Sequence, residues 1–178
     1  MSQAQETLFT RATEARRERR FEDARTSLTE AESSSRQAGD ELALARSLTM
    51  LGQIERVLRR NDAALKNYDE AVAIYRAKGD VQRLAHSVRH VGDILRHMGQ
   101  NERAEQCYTE ALGLYRADAS TGQLDLANAL RGYAILKADL GDRQQAAALW
   151  AEAGKLYEAV GVKEGAAEST RQVALLAE

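Results

Sequence analysis

The chain has 178 residues, 29% of them charged, and a formal net charge of -2, so it offers no bulk electrostatic attraction to nucleic acid or membrane. Proline is absent and only 5% of residues are aromatic, which argues against strands and for uninterrupted helices. The one cysteine, Cys107, excludes an intrachain disulfide and a multi-cysteine zinc site and fits a reducing compartment.

In chain order, helices are expected near 3–18, 22–38, 41–59, 62–78, 81–98, 102–117, 123–140, 143–159 and 163–177. The first pair is the most degenerate, with Arg11-Ala12 and then Ala24, Leu28 and Ala31. In the second pair the stripe Leu48, Leu51, Ile54, Leu58 precedes Ala64, Tyr68, Ala71 and Tyr75, which stand at i, i+4, i+7 and i+11. The third pair runs Val88, Val91, Leu95, Met98 and then Ala104, Tyr108, Ala111 and Tyr115. The fourth has Tyr133-Ala134 and then Ala146, Trp150, Ala153 and Tyr157. Turns fall at Arg60-Asn61-Asp62, Gly99-Gln100-Asn101 and Gly141-Asp142, with Asn61, Asn101 and Asp142 as expected N-caps. The ninth helix is unpaired. Ala166, Val173 and Leu176 are expected to cover the last hairpin, and Lys163, Glu164, Glu168 and Arg171 to face water.

These segments are copies of one another. Those starting at Phe21, Asn61 and Asn101 align at a spacing of 40 residues, and the one from Arg143 follows at 42. Glu30, Glu70, Glu110 and Glu152 recur once per copy, a structural rhythm rather than a paired-carboxylate active site. Leu51-Gly52 followed by Ala64, Tyr68 and Ala71 resembles the signature of the tetratricopeptide repeat family, with Val91-Gly92 and Tyr133-Ala134 standing in for Leu-Gly in later copies. The proline frequent at the end of the second helix is replaced by Arg36, Arg76, Arg116 and Glu158. The long period is similar to that of the kinesin-light-chain-like branch. The resemblance implies an all-α solenoid and one domain over 1–178. Its four hairpins lie near 3–38, 41–78, 81–117 and 123–159, with a capping helix at 163–177.

The resemblance also implies that the first helix of each pair faces a concave groove. On that register Arg16, Arg56 and Arg96 share a column, with Arg46, Arg89 and Arg131 on the same side, near Thr49, Gln53, Asp93 and Asn128. Guanidinium groups suit carboxylates, so the expected partner is a protein or peptide segment of acidic character. Singly, such arginines also serve as solvated surface that pairs with glutamate one turn away. An RNA-binding array using the same arginines is the alternative, opposed by the net charge and the lack of outward aromatics. His86, His90, Asp93 and His97 lie on one narrow helical face, spaced like metal ligands but without a helical H-E-x-x-H or a ligand from a second element. They read as polar groove residues. Cys107 reads as a half-buried packing residue. No phosphate loop, nucleophile elbow, calcium loop or C-x-x-C pair occurs, so neither cofactor, metal nor catalysis is expected. Without a basic segment leading into an apolar run, and without a membrane-spanning stretch, the expected location is the cytoplasm.

Overall fold

The computed structural model describes residues 2–178. Among them are nine helices and no strand: α1 (Gln3–Arg17), α2 (Phe21–Ala38), α3 (Glu41–Val57), α4 (Asn61–Lys78), α5 (Val81–His97), α6 (Asn101–Ala117), α7 (Gln123–Asp139), α8 (Arg143–Ala159) and α9 (Lys163–Ala177). The fold is an all-α helical repeat of the solenoid class, as the periodicity requires. Contacts divide the chain into two compact units, one up to Ser87 and one from Val88 onward, so that α5 contributes to both.

In the first unit α1 packs on α2, α2 on α3, and α3 on α4, and α1 also touches α3. Ala24, Ala31, Ala64 and Ala71 are fully buried, and Leu28 and Tyr68 fill the space between them. Gly52 is where α3 meets α4: a Cβ there would lie 2.5 Å from the Tyr68 ring, so only glycine lets the buried ring lie flat on the backbone. In the second unit α6 packs on α7, α7 on α8 and α8 on α9. Ala104, Tyr108, Ala111, Ala146, Trp150 and Ala153 repeat the buried column. Gly92 leaves room for Cys107 and Tyr108, both 3.3 Å from its absent Cβ.

The turns inside the hairpins share one geometry. Arg19, Arg59, Gly99 and Gly141 each take positive φ, and the next amide closes the turn on a carbonyl five residues back, as Arg60 does on Glu55 at 2.8 Å. This closure ends α3 at Val57, short of the expected 59. It also corrects two caps. Asn61 and Asn101 are the first residues of α4 and α6, whereas Arg60 and Gln100 hold the cap positions and make no side-chain cap bond. Asp142 does cap α8, accepting from the Gln145 amide. Asp40 caps α3 in the same way, and Ser2 forms a capping box with Gln5.

Arginine is costly in a left-handed turn position that its repeat equivalents give to glycine. Arg59→Gly is therefore expected to raise stability by about 0.5–1 kcal/mol, the relief of the left-handed strain outweighing the added freedom of the unfolded chain. Urea denaturation of the two proteins checks this.

Consecutive second helices are joined by ion pairs. Arg36 of α2 bonds Glu70 of α4 at 2.8 Å, and Arg116 of α6 bonds Glu152 of α8 at 2.9 Å. The arginines that replace the family's proline thus meet the glutamates that recur once per repeat. All four groups are partly exposed, so each link contributes below about 1 kcal/mol.

Candidate functional site

Arg16 and Arg46 in the first unit and Arg96 in the second meet neighbouring first helices. In the first unit Arg16 donates to Gln53 at 2.8 Å, bridging α1 and α3. Arg46 lies over the Phe9 ring at 4.1 Å, with Glu6 at 3.6 Å. Glu6, Phe9, Thr10, Thr13, Glu14, Arg17 and Arg46 line a cavity of about 260 Å³ on this face. Thr49 is half-buried, its hydroxyl donating to the Ala45 carbonyl at 2.9 Å, while Arg56 and His86 are partly exposed.

In the second unit the candidates form a denser network. Arg89 and His90 are buried, at 9% and 7% exposure, and both converge on Asp93. Arg89 NH1 and His90 Nδ1 are each 3.3 Å from Asp93 Oδ2, while the Tyr108 hydroxyl donates to Oδ1 at 2.8 Å. Arg89 NH2 is 2.9 Å from His90 Nε2. A guanidinium can only donate, so Nε2 accepts and the proton sits on Nδ1, facing Asp93. Burial alone would favour the neutral acid at Asp93. The His90 hydrogen bond, the charge of Arg89 and the Tyr108 bond prevail and hold its carboxyl well below the usual range.

Arg96 is 3.5 Å from Asp139 of α7. Asn128 accepts from the Tyr157 hydroxyl at 2.8 Å. Arg131 is paired bidentately with Glu168 of α9, both bonds at 2.8 Å, and lies 5.9 Å from the centre of the Trp150 ring. Glu168, expected to face water, is instead part-buried on this arginine, whose hydrogen bond holds its carboxyl below the usual range against the effect of burial. His97 bonds the Asp93 carbonyl through Nδ1 at 2.6 Å. Among the described residues, no group of three or more His, Cys, Asp or Glu side chains is placed to hold a metal ion. Nor, among them, is any helix long and apolar enough to cross a membrane.

Sequence reasoning missed two part-buried ion pairs that hold second helices to the following first helix. Arg25 of α2 bonds Glu55 of α3 at 2.7 Å. Lys137 of α7 bonds Glu105 of α6, which also accepts from Tyr133 at 2.9 Å. The repeat register held the signal: one pair of hairpins further on, the positions of Arg25 and Glu55 are those of Glu105 and Lys137.

Residues 1–163 match the family described as soluble NSF attachment protein, SNAP. The chain belongs to the SNAP family. Among solved structures it is similar to the tetratricopeptide-repeat sensor protein of the STAND signal-transduction ATPases from Pyrococcus horikoshii, at 20% identity and a TM-score of 0.85, over 97% of this chain and 26% of that one. BtubC (BKLC) from P. vanneervenii is similar at 18% identity and a TM-score of 0.74, over 96% of this chain and 78% of that one. A Rap protein complexed with Competence and Sporulation Factor is similar at 16% identity and a TM-score of 0.76, over 98% of this chain and 54% of that one. This SNAP-family chain thus spans about half of the Rap protein and about a quarter of the ATPase. At these identities the likenesses show the fold, a tetratricopeptide-like helical repeat. No curated protein matches the chain.

Proposed function

We propose that this chain is a protein-interaction module, acting as one repeat domain over residues 1–178, that binds a partner segment along its first helices. The observation that carries the reading is the α1–α3 face. There Arg16, Arg46, Gln53 and Arg56 remain at least partly exposed, and Arg46 lines a cavity together with Phe9. The family's name, an attachment protein, and the Rap complex with a bound factor support the same class of function. Arg89, His90 and Asp93 then serve as the rigid base of the groove in the second unit, and Arg96 and Arg131 as its donors. Partner carboxylates fit guanidinium donors, which favours an acidic segment. No catalytic step is assigned to any residue. The period of 40 to 42 residues supports the kinesin-light-chain-like branch of the repeat, and the lone, half-buried Cys107 supports a cytoplasmic place.

Affinity capture with mass spectrometry tests this, comparing the wild type with the double variant Arg56→Glu, Arg96→Glu. Each exposed pair is weak, but reversal adds repulsion to two lost contacts, so binding is expected to fall at least about tenfold. Arg76→Ala with Arg116→Ala is expected to leave it nearly unchanged. Capture that survives the first double variant and is lost with the second would place the site on the opposite face. Retention of RNA that falls steeply with salt would favour the nucleic-acid reading.

A further inference from the structure

Helix α9 buries the fewest residues of any helix in the second unit. It buries only Ser169, whereas α7 buries eight residues and α8 six. Its Leu175 is 52% exposed, and its N-cap, Val162, has no side-chain bond. Besides the half-buried Val173 and Leu176, it is held by the Arg131–Glu168 pair, the Arg143 guanidinium on the carbonyls of Leu175 and Leu176 at 3.0 and 3.3 Å, and two close backbone approaches. At one approach a Cβ on Gly154 of α8 would lie 3.0 Å from the Ser169 Cβ. At the other, a Cβ on Gly165 would lie 2.7 Å from the Tyr157 ring. The match to the family stops at residue 163, where α9 begins.

We propose that α9 is an exchangeable occupant of the α7–α8 face, and that a partner helix of the same design replaces it. Segments with little buried apolar area open at low free energy, and this one leaves behind a surface already shaped for a helix. The chemistry of the occupant follows from the seat. It needs a glycine where Gly165 stands, because a Cβ there would meet the Tyr157 ring, and a small residue where Ser169 packs on the bare backbone of Gly154. It needs a carboxylate where Glu168 stands, because Arg131 would otherwise lose its bidentate partner. Arg131 also belongs to the proposed groove, but the exchange does not depend on that reading and is tested without a groove ligand.

The test uses the full chain. By hydrogen exchange with mass spectrometry, α9 amides are expected to exchange at least about a hundredfold faster than those of α8. A fluorescein-labelled synthetic peptide of residues 162–178, added in trans, is expected to bind by anisotropy, and more tightly when the chain carries Glu168→Ala and its own helix competes less well. A reversible lock is available in a Cys107→Ser background: Gly154→Cys with Ser169→Cys puts the two Cβ atoms 3.0 Å apart, and a shift of α9 by about 0.5 Å brings them into disulfide range. Oxidation of that variant is expected to abolish peptide binding and reduction to restore it. Exchange of α9 at the rate of α8 would overturn the proposal. So would failure of the peptide to bind both wild type and Glu168→Ala, or binding unaffected by the closed lock. None of these outcomes depends on the Arg56 and Arg96 variants, so the groove and the exchange stand or fall separately.

Discussion

Replacing Asp93 by alanine is expected to destabilise the protein by about 3–5 kcal/mol, the usual cost of removing one partner from a buried ion pair. The carboxylate is the acceptor for Tyr108 and the counter-charge for Arg89, whose side chain is only 11% exposed. Without it the guanidinium is left buried and uncompensated, and the Tyr108 hydroxyl loses its acceptor. Nothing else can move in: α7 approaches closely through Gly132, whose Cβ would lie 2.8 Å from the Tyr108 ring and 3.1 Å from Asp93 Oδ1. The pH dependence has a definite sign. The folded carboxyl titrates below its unfolded value, so its stabilisation is complete above about pH 4 and is lost as pH falls toward the folded value. Urea midpoints of wild type and Asp93→Asn should therefore lie apart at neutral pH and converge below about pH 4. A constant gap across that range would show that the charge of Asp93 contributes nothing.

The helices were legible because the repeat averages out local ambiguity. Ala64, Tyr68 and Ala71 form a pattern that many helices could show by chance, but four copies in register leave one interpretation. The copies also gave helix ends to within about two residues. What they hid was turn chemistry. Asparagine at Asn61 and Asn101 reads as a cap in any single-sequence view, yet the left-handed closure at Arg59 and Gly99 shifts the cap one residue earlier. Nothing in an arginine announces positive φ. Only its alignment with Gly99 does.

The candidate site was legible as a set of positions and not as a set of partners. Period counting puts Arg16, Arg46 and Arg96 on first helices, and the structure finds them there, bridging to a neighbouring first helix in each unit. It could not tell Arg89 and His90 from their neighbours. Their burial depends on how Asp93, Tyr108 and Gly132 close around them, which is a property of three helices at once. The histidine spacing was similarly ambiguous. Ligand-like intervals on one helix became a network around Asp93, with His90 on its side chain and His97 on its carbonyl. Glu168 was assigned to solvent because a terminal helix has no later copy to align with.

The two part-buried pairs between second and first helices carry opposite polarity, and that supplies an internal control for a further large effect. Glu55 is 4% exposed, bonded to Arg25 at 2.7 Å and 3.6 Å from Arg60. Glu55→Lys would bury a third cation beside these two, whose own side chains stay 47% and 44% exposed, so a loss of about 2–3 kcal/mol is expected. The compensating change is written elsewhere in the same chain, where Glu105 and Lys137 occupy the equivalent positions with the charges exchanged. Adding Arg25→Glu to Glu55→Lys should therefore recover most of the loss, because the reversed pair fits this backbone geometry and Arg60, 44% exposed, can turn toward solvent. A cycle of the two single variants and the double, followed by thermal or urea denaturation, measures the coupling. If the double variant is no more stable than Glu55→Lys alone, the pair does not act through its charges, and the polarity of these junctions has no energetic meaning.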